Sequence, residues 1–198
     1  MNHEKINKPK KILILCWGNI MRSPTAKFIL DREISNLGLD QEYVCESRGI
    51  QGSGSIPSPK FSSFNQYKEE FKLAKPVMDR YRIDISHHTA KPIDHETIYQ
   101  ADLILAMDDR VLLGPEGGLL LQFPEAKTKT RLLSELVDKK HDIQDPAEIT
   151  NENKYEQVLK LINLSIQEGL PTLLKLTTLY HETRNEINQE THRKHPEH

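Results

Sequence analysis

Two residues near the amino terminus could do chemistry together: Cys16 and Arg22, with five residues between them in CWGNIMRS. A thiolate is a good nucleophile, and a guanidinium is a planar fork able to hold two oxygens of a tetrahedral anion at once. Between them lie Trp17, Gly18, Asn19, Ile20 and Met21. Gly18 and Asn19 are residue types that accept left-handed backbone, which a loop needs if its successive N–H groups are to turn inward around an anion. Ser23 can serve both as a helix cap and as a donor to the Cys16 sulfur. A bare Cys and Arg at this spacing would more often be a buried cysteine and an ordinary loop. The flanking sequence is what favours the chemical reading.

That chemistry needs a strand before the loop and a helix after it. Lys11 to Leu15 is short, apolar and β-rich, the pattern of a strand buried on both faces. Ser23 and Pro24 then suit a helix N-cap and first turn, followed by Ala26, Phe28, Ile29, Leu30, Ile34 and Leu37 at helical spacing up to Gly38. Strand, tight turn and helix place the loop at the carboxyl end of a strand, where open α/β sheets bind ligands, and at a helix N-terminus, where anions bind.

Displacing an oxygen leaving group from phosphorus also needs a proton donor. Asp145, in HDIQDPAEIT, is the candidate, because Pro146 biases it towards an extended conformation in a polar turn. Most Asp-Pro pairs are only turns, so the assignment depends on the Cys16 loop.

Further strands are expected at Glu42 to Ser47, Asp102 to Met107 and Thr130 to Leu133, with helices between them. One helix should carry Phe64, Tyr67, Phe71, Ala74, Met78 and Tyr81 on a single stripe. Another should begin near Asn151, use Tyr155, Val158, Leu159, Ile162 and Ile166, and kink or break at Gly169 to Pro171. Strands alternating with helices give an α/β domain with a parallel sheet. Residues 1–10 read as a polar extension and 49–63, with its glycines, prolines and serines, as an extended surface loop. From His181 on there is little to bury, so a frayed tail is expected.

The chain has 198 residues, enough for one domain with its own core. Its formal net charge of -2 gives no electrostatic reason to expect nucleic acid or an anionic membrane as partner. The apolar run at the first strand is far shorter than the roughly 18 residues of a membrane span. Only two cysteines, Cys16 and Cys45, are present, neither with zinc-ligand spacing, which fits a reducing, cytoplasmic setting.

ILILCWGNIMRSPTA resembles the signature of the low-molecular-weight protein tyrosine phosphatases. The likeness continues through SRGI at Ser47, ISHHTAK at Ile85, ADLILAMDD at Ala101 and QDP at Gln144. It implies a four-stranded parallel sheet flanked by helices, doubly wound in strand order 2-1-3-4, over residues 11–174, with 175–198 a helical extension and polar tail. It also implies a metal-free hydrolase without cofactor, acting through a phosphocysteine on a phosphotyrosine protein or other aryl phosphate, as a monomer or weak dimer. By position, Cys16 resembles the nucleophile, Arg22 the phosphate clamp, Asp145 the general acid, and Asn19 and Ser23 the loop-stabilising residues. Ser47 and His88 resemble the support around Asn19, although His87 and His88 could equally be solvated surface histidines.

The sequence departs from the family in places. Met21 stands where some members carry a second cysteine, and Ala147 where an aromatic residue often lines the cleft. Trp17 could supply part of that wall. An arsenate reductase on the same loop is the main alternative, but it would need further cysteines to resolve its adduct. A phosphate-binding or phosphotyrosine-binding module without turnover is the other.

Overall fold

The structure is a computed structural model that describes residues 8–139, 141–146 and 151–194. Four strands, β1 (Lys10–Cys16), β2 (Tyr43–Gly49), β3 (Leu103–Ala106) and β4 (Thr130–Leu132), form one parallel sheet in the order β2-β1-β3-β4. The expected order and parallel sense are those observed. β1 is central, and its alternation divides the core: Ile12, Ile14 and Cys16 face one layer, Leu13 and Leu15 the other. Both faces are dry, which explains why the strand reads as an unbroken apolar run.

The first layer holds α1 (Arg22–Asn36), α2 (Lys68–Arg80) and the long α6 (Glu152–Lys194), contributing among others Ile29, Leu30, Val77, Leu159 and Ile162. The second holds three short helices, α3 (His95–Gln100), α4 (Asp109–Leu113) and α5 (Leu119–Gln122), through Ile98, Val111 and Leu119. α1 ends where a left-handed residue is required. Gly38 has φ of 70°, its N–H bonds Ser35 O at 2.9 Å, and Leu39 N–H reaches back to Ile34 O at 3.1 Å.

Three elements depart from the sequence expectations. The aromatic stripe from Phe64 to Tyr81 is not one helix: a 3-10 turn at Phe64–Gln66 precedes α2, and Tyr67 breaks the run at φ -86°, ψ 74°. Gln66 Oε1 accepts the Ser62 and Ser63 N–H groups, 3.1 Å each, and the Tyr67 hydroxyl accepts Phe61 N–H at 3.2 Å, so side chains complete this turn. α6 does not break but remains helical through Gly169 and Pro171. Gly169 serves close packing instead, because a Cβ there would lie 2.5 Å from Leu136 Cβ.

The third departure is the carboxyl-terminal segment, which does not fray at His181. Asp102, buried at the start of β3, is the reason. Asp102 Oδ2 accepts Lys11 N–H at 2.8 Å and contacts His181 Nδ1 at 3.0 Å, while Arg184 Nη2 lies 3.1 Å from Oδ1. A buried carboxylate is costly without partners, and α6 supplies two of them after its apolar stripe has ended. Among the described residues no helix is long and apolar enough to cross a membrane.

A chain stopped after Tyr180 removes both of those partners while leaving Asp102 buried. It should be less stable by about 3 kcal/mol or more in urea unfolding. An unchanged midpoint would show that Asp102 does not depend on α6.

Candidate active site

β1 ends at Cys16 and α1 begins at Arg22, so residues 17–21 turn the chain in five positions at the carboxyl edge of the sheet. Cys16 is 2 % exposed, and its sulfur faces back into the turn. Asn19 N–H donates to Sγ at 3.2 Å and the Ser23 hydroxyl donates at 3.0 Å.

Asn19 makes this geometry possible. Its φ is 54°, the left-handed region, whereas Gly18 is not among the residues with positive φ. The expectation that Gly18 and Asn19 share that conformation is therefore half corrected. Gly18 serves proximity: a Cβ there would sit 2.9 Å from Gln51 Oε1. Gly49, at the end of β2, does the same from the other side, since a Cβ would lie 2.9 Å from Gly18 C and 3.0 Å from Asn19 N.

The Asn19 side chain is fully buried and fully used. Nδ2 donates to Ser23 Oγ at 3.0 Å and Ser47 Oγ at 3.1 Å, and Oδ1 accepts Lys91 N–H at 2.9 Å. His88 Nε2 stands 2.9 Å from Asn19 O and 3.1 Å from Oδ1. Both are acceptors, so the ring carries its proton on Nε2. Burial, the largest influence, lowers the His88 pKa; the hydrogen bond to Asn19 opposes this, and Lys27 and Lys91 add to the lowering. His87, its neighbour, is exposed.

Of the two roles expected of Ser23, helix cap and donor to the Cys16 sulfur, the structure shows the second. The residue flanking α1 is Met21, with no side-chain cap, and the Ser23 hydroxyl goes to sulfur rather than to the helix end. Ser23 is also buried, as are Met21 and Pro24.

Arg22 is 2 % exposed and held by three oxygens. Nη1 pairs with Asp108 Oδ2 and donates to Ile143 O at 2.8 Å, and Nη2 bonds Asp145 Oδ2 at 2.5 Å. Burial works against its charge, but Asp145, the Cys16 sulfur and Asp108 together outweigh it and hold the guanidinium pKa above its ordinary value. Asp108 carries no role in the sequence reading, although it stands in the quoted ADLILAMDD. Its other oxygen caps α4 by accepting Val111 N–H at 2.8 Å, so its place is fixed by two bonds. An acidic residue at the carboxyl end of a strand beside the loop was the available signal.

Above the sulfur opens a cleft of about 290 Å³. Cys16, Arg22 and Asp145 line its floor region, Trp17 and Arg110 one wall, and Phe64, Tyr67, Glu70 and Tyr155 the other. Tyr155 has its pKa pushed up to about 12 by burial, then by the charges of Glu70 and Asp145, and remains a neutral phenol at ordinary pH. Ile20 and Met21 complete the lining on the loop side. Ala147, expected as a departure from the aromatic wall, lies outside the described residues. Among the described residues no group of three or more His, Cys, Asp or Glu could hold a metal ion.

The family described as "Low molecular weight phosphotyrosine protein phosphatase" matches residues 11–185. The chain belongs to that family. The low molecular weight protein-tyrosine-phosphatase Ptp of Acinetobacter johnsonii is 35% identical over 137 residues, 69% of this chain and 80% of the relative. Among solved structures, the low molecular weight protein tyrosine phosphatase from T. tengcongensis is 26% identical with a TM-score of 0.61, over 82% of this chain and 98% of that one. Wzb from Vibrio vulnificus, in complex with benzylphosphonate, is 27% identical with a TM-score of 0.57, over 79% and 94%.

His88 generates a pH prediction. Its folded pKa lies below the unfolded value near 6.5, so the unfolded chain takes up the proton first as pH falls. Stability should therefore drop as pH falls through about 6.5 and stop dropping below the folded pKa. The His88→Gln variant should lack that component when unfolding is compared at several pH values; identical profiles would place the His88 ring in solvent.

Proposed function

We propose that the protein is a metal-free phosphomonoesterase acting on phosphotyrosine in proteins, or on other aryl phosphates, through a phosphocysteine on Cys16. The observation that carries it is the Cys16 sulfur facing Asn19 N–H and the Ser23 hydroxyl, beneath a cleft that Arg22 and Asp145 also line.

A phosphate dianion entering the cleft meets the first turn of α1, whose leading N–H groups have no acceptor within the helix. Arg22 takes two of its oxygens, with Asp108 and the Ile143 carbonyl holding the guanidinium from behind. The dianion competes with Asp145 for Nη2, and Asp145, 41% exposed, can turn to the leaving oxygen. Sγ attacks phosphorus in line, a P–S bond forms as the P–O bond breaks, and the Asp145 carboxyl gives its proton to the departing phenolate. Asp145 then takes a proton from water as that water attacks phosphorus, and the thiolate leaves with its electron pair. Arg22 and the loop N–H groups follow the charge spread over the equatorial oxygens.

The aromatic walls favour an aryl over an alkyl group, and the depth of Cys16 favours a side chain long enough to reach the floor. Arsenate reduction is less well supported. The second cysteine, Cys45, is buried in β2, and burial, then Asp31, pushes its thiol pKa well up, leaving it a poor nucleophile.

Cys16→Ser should abolish hydrolysis of aryl phosphates while retaining binding of inorganic phosphate; a Cys16→Ser protein with normal turnover would rule the scheme out. Asp145→Ala should lose about 10²-fold or more in kcat, most for phenols that leave poorly. Equal losses across leaving groups would remove Asp145 from the acid role.

A further inference from the structure

The two walls of the cleft carry opposite charge, and one of them presents an arginine that the chemistry above does not use. Trp17 packs on the sheet face covered by α3, α4 and α5, and Arg110, on α4, lays its guanidinium over the Trp17 ring at 4.0 Å from the ring centre. The opposite wall belongs to the other sheet face, through Phe64, Tyr67 and Tyr155. It brings Glu70, on α2, to the cleft lining.

We infer that Arg110, held on Trp17, is a specificity-determining residue that pairs with an acidic side chain next to the phosphorylated residue of a peptide substrate. This rests on the phosphatase reading and adds the substrate class: phosphotyrosine segments with an Asp or Glu on one flank.

Arg22 is committed to the floor, so among the described residues Arg110 is the cationic side chain on the cleft lining left for the rest of the substrate. Its side chain is 54% exposed, and its ion pair to Glu116 is long at 3.7 Å with Glu116 itself 53% exposed. Such a contact is weak and readily exchanged for a carboxylate brought by the substrate. Stacking on the indole fixes the direction of the guanidinium beforehand, so little side-chain freedom is lost when that exchange occurs. Glu70 repels an acidic residue presented to the other wall, which sets the direction in which the peptide lies. Trp17, directly after the nucleophile, thus acts twice: as a wall for the phosphorylated ring and as the platform that aims Arg110.

The test compares kcat/KM for short phosphotyrosine peptides carrying Asp, Ala or Lys on either side, alongside a simple aryl phosphate. The wild type should prefer Asp over Ala on one flank by about fivefold, chiefly through KM, and the preference should shrink in high salt. Arg110→Ala should bring that ratio to near one, and Arg110→Glu should turn it towards the Lys peptide. Turnover of the aryl phosphate together with an Asp to Ala ratio near one in the wild type, or a ratio that survives Arg110→Glu, would overturn the inference while leaving the phosphatase reading intact. Failure to hydrolyse any aryl phosphate would sink that reading and this inference with it.

Discussion

Everything at the site depends on one side chain held in one backbone conformation. Asn19 sits at φ 54° in the middle of a five-residue turn, and that twist is what brings its own N–H onto the Cys16 sulfur. A non-glycine residue adopts this region only at some cost, and asparagine is among the residues that do so most readily. The cost is met by hydrogen bonds that no other residue of similar size could all make: its amide donates to Ser23 and Ser47 and accepts from Lys91 N–H and His88. Four parts of the chain, α1, β2 and the segments carrying His88 and Lys91, are therefore tied to the turn through one buried amide. The glycine at 49 then lets the turn and β2 approach to a distance a Cβ would forbid.

The second constraint is the position of the site at the edge between two core layers. Because β1 sends alternate residues to opposite faces, Cys16 emerges where the α1, α2 and α6 layer meets the α3, α4 and α5 layer. Each layer supplies one wall, and the loop after β4 supplies Ile143 and Asp145 to Arg22. Arg22 consequently joins α1, the end of β3 through Asp108, and that loop. Its ion pairs are buried on the arginine side, where removing one carboxylate would leave charge uncompensated, so the same bonds that orient the guanidinium also close the sheet's carboxyl edge.

How much of this is legible in the sequence follows the distance over which each feature is encoded. β1, the turn and α1 are contiguous, and their apolar run, turn residues and helical spacing could be read directly. The strand order and the family could be read because several short motifs recur in one order. Features decided by remote partners could not. Asp108 has no evident role until Arg22 is seen against it, whereas the reach of the Ser23 hydroxyl to the sulfur, seven residues back, could be read. The helix at Phe64 to Tyr81 had the right periodicity, but turn side chains at Ser63, Gln66 and Tyr67 outweighed it locally. His181 and Arg184 carry no apolar signal because what they satisfy is a buried carboxylate at Asp102, in sequence 79 residues from His181.

The central claim is that the Cys16 sulfur itself becomes bonded to phosphorus. The most direct measurement is phosphorus NMR and peptide mass analysis of the Asp145→Ala protein, acid-quenched during turnover of an aryl phosphate whose phenol leaves easily. The account predicts a thiophosphate signal carried by the peptide that contains Cys16, because the first step no longer needs the acid while the second is slowed. Phosphate found on another residue, or steady turnover with no phosphorylated protein at any time, would contradict it.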